Sequence, residues 1–486
     1  MNKKTLSVPN RREFLGSACC AAVGATGMLS TLGSLRLMGA VASPGNGPQE
    51  PPRAGAIAPD YKALVCLFLN GGNDANNLII PMGSGYAAYQ SARSNLAIPQ
   101  ANLLAITPRT SDGRSWGLHP AVGELRNLFN SGKAAFIANA GTLVYPTTKA
   151  QYTARSVPLP PQLFSHSDQQ VQWQHSVPDK PVSTGWGGRI ADLLNAFNTS
   201  DQISMSISIA GKNTFQIGNK VSQYAIGTGG ASTLAGSTTN LNPTNLDGIR
   251  FRAQKDIFAL SQPGLFETAF GTTSGDAIVS ADLLNSVLSA SPPLTTVFPN
   301  VTGSSVNPVS TQLRMVARLI AASPTLGLKR QIFFVQLGGW DLHAAQLVNS
   351  NPVTGSHATL LAQVSEAVNA FYNATIELGI ANQVTTFTAS DFGRTYRSNG
   401  DGSDHGWGSH AFVVGGAVNG TDIYGAMPTL SVNGPDDTGL GRWIPTTSVD
   451  EYAATLATWF GVSATDLPIV LPNIGRFKKP NLGFMG

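Results

Sequence analysis

The sequence predicts an α/β fold built on a doubly wound, mainly parallel sheet, and three observations predict it. Short strand-like runs recur along the chain, the first of them wholly apolar, and each stops at a polar loop, the pattern of a strand buried on both faces. Segments with apolar residues three and four apart lie between these runs, as in a helix with one buried face. An aspartate follows each run within a few positions, at Asp74, Asp341 and Asp391. In open parallel sheets, function gathers in the loops beyond the carboxyl ends of strands.

The first segment reads as an address label. Lys3, Lys4, Arg11 and Arg12 make a positive start, and the pair Arg11-Arg12 stands just before Phe14 and Leu15. An apolar or small-residue stretch follows to Val41, interrupted by five glycines and Arg36, and Ala40-Val41-Ala42 supplies a cleavage site. Residues 1–42 therefore read as a twin-arginine signal peptide. The stretch falls short of the roughly 20 strongly apolar residues of a spanning helix, so no stable membrane anchor is expected. Residues 43–60, rich in Pro, Gly and Ala, read as a flexible lead-in, and the globular domain is expected over 61–480.

Within that domain Ala63–Leu69 is the first strand, ending at Asn70-Gly71-Gly72-Asn73-Asp74. Gln331–Leu337 is the second, running into Gly338-Gly339-Trp340-Asp341-Leu342-His343. Gln383–Thr388 is the third, running into Ser390-Asp391-Phe392-Gly393-Arg394. Helices are expected at Ala121–Phe129, around Ile190–Leu194, at Gln312–Ala322 and at Thr359–Leu378, where the apolar spacing is helical. Residues 200–310 differ: Ser, Thr, Gly and Asn dominate and charge is sparse. They read as an inserted, cap-like region rather than a second independent domain.

Charge and cysteine usage exclude several functions. The whole chain has 31 Lys and Arg against 27 Asp and Glu. Five of those bases and one of those acids leave with the signal, so the mature chain is neutral. Nothing basic remains to argue for nucleic acid or an anionic membrane. Cys19 and Cys20 leave with the signal too, and Cys66, inside an apolar run, is expected as a buried free thiol. An exported protein without an intramolecular disulfide must be stabilised by its core. A redox role finds no support: there is no haem Cys-x-x-Cys-His, no iron–sulfur cysteine set and no Gly-x-Gly-x-x-Gly after a strand.

Four of the seven histidines stand in suggestive company. His343 lies two residues after Asp341. His405 and His410 share Asp404-His405-Gly406-Trp407-Gly408-Ser409-His410, and His166 lies in Phe164-Ser165-His166-Ser167-Asp168. Imidazoles and carboxylates grouped after strands are the ligand set of zinc or a similar divalent ion. A loop aspartate capping the next helix explains Asp74 or Asp391 equally well. His119, His357 and His175 read as structural or surface residues.

These blocks together resemble one family. Gly71-Gly72-Asn73-Asp74, Ser165-His166 with Gln169, Gly338–His343, Ser390–Thr395 and Asp404–His410 followed by Phe412-Val413-Val414-Gly415-Gly416 are similar to the DUF1501 family, in order from Tyr61 to about Gly425. That family is placed by similarity in the alkaline phosphatase-like superfamily, beside phosphatases, sulfatases and cofactor-independent phosphoglycerate mutases. The resemblance implies a two-metal Asp and His site with a Ser, Thr or modified Cys nucleophile at a helix start.

Carried over, the resemblance makes Asp74 a first-strand metal ligand and Ser165 the nucleophile. Asp341 and His343 become ligands of one ion and Asp391 of the other, with His405 and His410 as late imidazoles. It implies zinc, or else manganese or calcium. Arg394 would pair with anionic ester oxygens through its planar fork. Three points depart from the superfamily: Phe392 follows Asp391 where a histidine is usual, Asp341 and His343 are only two apart, and Ser165 and Ser167 both flank His166. The Cys/Ser-x-Pro-x-Arg signature of formylglycine sulfatases is absent.

The expectation is an exported, metal-dependent hydrolase or transferase acting on a phosphate or sulfate ester, small or polysaccharide, delivered by the twin-arginine machinery. The alternative is a catalytically silent envelope protein of the same fold that binds polysaccharide or a partner.

Overall fold

The computed structural model describes residues 56–234, 245–260, 264–299 and 306–486. The stretch read as a signal peptide and most of that read as a lead-in lie outside the described residues. The described residues divide into two compact units, the larger of residues 56–232 with 282–486, the smaller of the described residues between 233 and 281.

Twelve strands run through the described residues of the larger unit. They are β1 (Lys62–Leu69), β2 (Ile79–Met82), β3 (Leu104–Ile106), β4 (Ser115–Leu118), β5 (Ala134–Gly141), β6 (Ser206–Ser208), β7 (Tyr224–Ala225), β8 (Arg330–Leu337), β9 (Val384–Ser390), β10 (Ser409–Gly415), β11 (Ile423–Tyr424) and β12 (Thr447–Ser448). The central sheet runs β11-β5-β10-β9-β1-β8-β6-β7, with β12 also on β5; β2, β4 and β3 form a small antiparallel sheet. The three strands expected from sequence are neighbours. β1 lies between β8 and β9, parallel to both, pairing Leu69 with Leu337 and with Ser390. β10 alone runs antiparallel to its neighbours in the large sheet, β5 and β9.

β1 shows why its sequence is apolar throughout. Val65, Leu67 and Leu69 pack on one side with Leu313, Val316, Leu361 and Val368. Leu64, Cys66 and Phe68 pack on the other with Ile190, Tyr452 and Leu456. Alternate side chains of one strand thus feed two helical layers, and no position is left for a polar residue. Burying each such side chain contributes roughly 1.5–3 kcal/mol. Cys66 is a buried free thiol.

The helices expected from periodicity occur as Gly123–Asn130, Trp186–Leu194, Pro308–Ala321 and Ser356–Glu377. Pro308–Ala321 starts four residues early because Asn307 caps it and Pro308 occupies its first turn. The helix Val449–Phe460, not expected from spacing, begins with a capping box made by Ser448 and Glu451.

β6 and β7, inside the stretch read as a cap, extend the central sheet. In the smaller unit the helix Leu246–Ala259 and the start of Leu265–Ala290 are helical, and the Phe258 and Phe270 rings meet edge to face at 5.8 Å. Among the described residues, no helix is long and apolar enough to cross a membrane.

Candidate metal centre

The adjacency of β9, β1 and β8 brings three loops together at the carboxyl ends of the strands. Glycines let them touch. Gly71 has φ +122, and a Cβ there would stand 2.5 Å from the backbone nitrogen of Asp341; Gly72, at φ +85, lies as close to the Phe392 ring. No other residue combines that backbone with that clearance.

Asp391, at the end of β9, is buried. Its Oδ1 accepts the Gly71 N–H at 3.0 Å, and its Oδ2 accepts from Gln170 Nε2 at 2.7 Å. The same Oδ2 stands 2.7 Å from His166 Nδ1. His166 and Gln170 are four apart on the helix His166–His175, so both reach this carboxylate from one face. Asp391 does not cap that helix; its acceptors serve a loop amide and the His166 ring.

The opposite nitrogen of His166 faces the centre of the site. His166 Nε2 lies 3.1 Å from His405 Nε2, and His405 Nε2 lies 2.7 Å from His343 Nε2. Asp341 Oδ1 stands 3.3, 3.1 and 3.2 Å from the Nε2 atoms of His166, His343 and His405. Arg394 Nη1 donates to that oxygen at 2.8 Å. Each ring is oriented from behind. His405 Nδ1 meets the Phe164 carbonyl at 2.7 Å, and His343 Nδ1 meets Asp404 Oδ1 at 3.1 Å.

These partners assign the tautomers. A carbonyl only accepts, so His405 carries its proton on Nδ1. Facing carboxylates place the protons of His166 and His343 on Nδ1 as well. Three Nε2 lone pairs and a carboxylate oxygen then point at one another with no proton between them, an arrangement that repels unless a cation lies at its middle. Ligand atoms around a tetrahedral zinc, about 2.0–2.1 Å from the ion, stand about 3.3 Å apart; four of the five spacings here are 3.1–3.3 Å and the His343–His405 pair is tighter at 2.7 Å. His166, Asp341 and His405 have ligand atoms all within 4.8 Å of one another. The donor set therefore fits a divalent ion.

Titration follows the same contacts. The hydrogen bond to Asp391 raises the His166 pKa above the usual imidazole value, against the opposing effect of burial. Burial lowers that of His405. Burial pushes the Asp341 carboxyl up, but Arg394 and the imidazoles outweigh it and hold it below the usual carboxylate range.

Of the other residues singled out in the sequence, Arg394 reaches this meeting point through Asp341, while Asp74, His410 and Ser165 bond elsewhere. Asp74 is buried in an ion pair with Arg93 and accepts from Gln346 Nε2 at 2.6 Å; its side chain caps no helix. Burial pushes its carboxyl up, and Arg93 with His357 more than reverses this. His410 is buried, its Nδ1 accepting the Asn139 N–H at 3.0 Å, and burial pushes its pKa down to about 4. Arg394 is buried, with Nη2 given to the Ser403 carbonyl at 2.6 Å. Ser165 precedes the helix His166–His175 without capping it; its Oγ donates to Asp168 Oδ2 at 2.5 Å and lies 3.3 Å from Ser167 Oγ.

Sequence reasoning counted His166 among four suggestively placed histidines but carried no ligand role onto it, and missed the supports Asp404, Gln170 and the Phe164 carbonyl. The four-residue spacing of His166 and Gln170 was the one available signal. His119 and His175 are structural, each accepting a backbone N–H two residues on. His357 is buried against Asn73.

The family described as "Protein of unknown function (DUF1501)" matches residues 61–438. No curated protein matches the chain. Among solved structures, Ps i-CgsB in complex with k-i-k-neocarrahexaose is similar at 12% identity and a TM-score of 0.34, over 86% of this chain and 77% of that one. The lipoteichoic acid synthase LtaP from Listeria monocytogenes is similar at 8% identity and 0.32, over 86% and 78%. The soluble domain of lipooligosaccharide phosphoethanolamine transferase A from Neisseria meningitidis is similar at 8% and 0.31, over 86% and 95%.

Proposed function

The chain belongs to the DUF1501 family, and from that premise we propose that it is an exported, metal-dependent hydrolase or transferase of phosphate or sulfate esters. The observation that carries this reading is the convergence of three imidazole lone pairs on the Asp341 carboxylate. A divalent ion held by His166, Asp341, His343 and His405, zinc in preference to manganese or calcium because the donors are mostly nitrogen, would supply Lewis acidity toward an ester oxygen.

The chain's own residues do the remaining work. Asp391, Asp404 and the Phe164 carbonyl fix the three rings, hold their protons on Nδ1 and aim each Nε2 at the centre. Arg394 holds Asp341 in place, and its charge favours an anionic ester nearby. Ser165, half-buried and one residue before His166, is the nucleophile in this reading. As its Oγ bonds to phosphorus or sulfur and the ester oxygen departs, the hydroxyl proton passes to Asp168, which already accepts it in a hydrogen bond. Ser167 shares that carboxylate at 3.3 Å and is the other candidate. Water completes a hydrolase cycle and an acceptor hydroxyl completes a transferase cycle. Export rests on the twin-arginine pattern of residues 1–42.

The test is elemental mass spectrometry on mature protein purified without chelators, joined to turnover of p-nitrophenyl phosphate and p-nitrophenyl sulfate. Near-stoichiometric metal that disappears in His405→Ala, and turnover that disappears in both His405→Ala and Ser165→Ala, would support the reading. Metal far below stoichiometry after incubation with each ion would replace it with the silent binding protein.

A further inference from the structure

A second feature of the larger unit is a cavity of about 610 Å³, inside the range of about 300–1,000 Å³ typical of small-molecule sites. Ser91, Ser94 and Asn95 line it from the end of the helix Tyr86–Arg93, Arg397 and Ser398 from the loop after Arg394, and Ser431 from a third segment. No carboxylate lines it.

Ala88, Ala92, Gly400, Leu430 and Val432 complete the lining, and its one charged side chain is Arg397. Arg397 is exposed, and its guanidinium has no hydrogen-bond or ion-pair partner among the described residues. Arg93 and Arg394, by contrast, are committed to Asp74 and Asp341. The Arg397 backbone is held at both ends, its N–H by the Leu440 carbonyl at 3.1 Å and its carbonyl by the Thr395 hydroxyl at 2.9 Å. The hydroxyls of Ser91, Ser94 and Ser431 likewise have no partner among the described residues.

The walls are stitched together. Ser398 Oγ donates to Asn95 Oδ1 at 2.7 Å, and Asn95 Nδ2 donates to the Gly400 carbonyl at 2.8 Å. Ser94 sits at φ 51, ψ −119, a costly backbone for a residue with a Cβ, and strain of this kind gathers at functional sites. The same loop reaches the metal centre: Asn399 Nδ2 donates to Asp404 Oδ1 at 3.0 Å, the carboxylate behind His343.

A free guanidinium fork beside three free hydroxyls, with no acid to repel an anion, complements a ligand that carries both an anion and hydroxyl groups. We infer that this cavity binds an anionic saccharide, a sugar unit bearing a sulfate or phosphate group, with Arg397 on the anion and the serines on ring hydroxyls. Its consequence rests on the ester-processing reading of the metal centre: the substrate is a charged saccharide ester, with one charged sugar unit seated here.

The experiment is calorimetric titration of the mature chain with glucose 6-sulfate, glucose 6-phosphate and glucose, repeated on Arg397→Ala and His405→Ala. Wild-type protein should bind one or both charged sugars about tenfold or more tightly than glucose, the worth of hydrogen bonds to a charged group. The stronger of the two names the anion. Arg397→Ala should abolish that preference with metal content unchanged, and His405→Ala should lose metal while keeping it. Equal binding of all three sugars, no binding of either charged sugar, or an unchanged preference in Arg397→Ala would overturn the inference. Joint loss of metal and sugar in His405→Ala would move the binding to the metal centre and overturn it too. If the sugar preference behaves as described while no ester is turned over, the ester-processing reading fails and the binding site stands.

Discussion

His343 Nε2 stands 2.7 Å from His405 Nε2, while the other nitrogen of each ring is taken from behind, by Asp404 in one case and by the Phe164 carbonyl in the other. Two imidazoles fixed in this way face each other nitrogen to nitrogen. Only a cation or a shared proton relieves that contact, and the nearby Asp341 oxygen favours either. Chelation separates the two.

With metal at the centre, the wild-type protein should melt lower in a strong chelator and recover on adding zinc. An ion present at a hundred times its dissociation constant stabilises a folded chain by about 2.7 kcal/mol. His405→Ala should melt alike with and without chelator. A wild-type melting temperature indifferent to chelator would favour the shared proton.

Asp391→Asn probes the support behind His166. The carboxylate accepts from Gly71, Gln170 and His166 at once. An amide has one oxygen for these donors, and its own N–H groups must face one of them. Metal affinity should fall by about 10–100-fold, at a stability cost of about 1–3 kcal/mol for the unsatisfied buried group. Competition against a chromophoric chelator reads the affinity, and an affinity equal to wild type would remove Asp391 from the support of the site.

The parts legible in the sequence are those encoded locally. β1 could be read because all but its first residue are apolar, and β8 and β9 because Ile332–Val335 is apolar and β9 is rich in β-branched residues, and Asp341, His343 and Asp391 follow directly from where those strands end. β5 and β10 were not foreseen: Ala134–Gly141 is built largely from small residues and β10 begins at Ser409-His410. The partners of the site residues were hidden for another reason. Nothing near Asp74 signals that Arg93 will neutralise it, and nothing near His405 signals that the carbonyl of Phe164, 241 positions earlier, will orient its ring. A backbone carbonyl has no letter of its own in the sequence, and packing decides which one a histidine meets. Phe164 itself lies at φ 73, a conformation that no local propensity of phenylalanine suggests.

Gly71→Ala tests whether the loop contact matters to the site. The added methyl would meet the Asp341 backbone nitrogen at 2.5 Å on a residue held at φ +122. Backbone lies on both sides, so no flexible side chain can yield. The variant should lose about 2 kcal/mol or more from strain and overpacking and bind metal more weakly, because Asp341 and the Asp391-bound Gly71 amide move together. Urea denaturation and the same chelator competition measure the two effects. Full metal affinity in a destabilised variant would show that Asp341 is held by Arg394 alone.

The clearest pH effect lies away from the metal centre, at Asp450 in the first turn of the helix Val449–Phe460. It is buried, and burial pushes its carboxyl up to about 7 although the positive charge of Arg189 pulls the other way. An unfolded aspartate titrates near 3.9. Below about pH 4 both states hold the proton and Asp450 leaves stability unchanged. Between about pH 4 and 7 the unfolded chain releases its proton while the folded chain retains it, so stability falls as pH rises and levels off above. Asp450→Asn removes that titration. Its stability relative to wild type should therefore increase by about 2–3 kcal/mol between pH 5 and pH 8, following 1.4 kcal/mol for each unit of separation. Urea denaturation at the two pH values measures it, and a constant difference between variant and wild type would show that Asp450 titrates like an ordinary aspartate despite its burial.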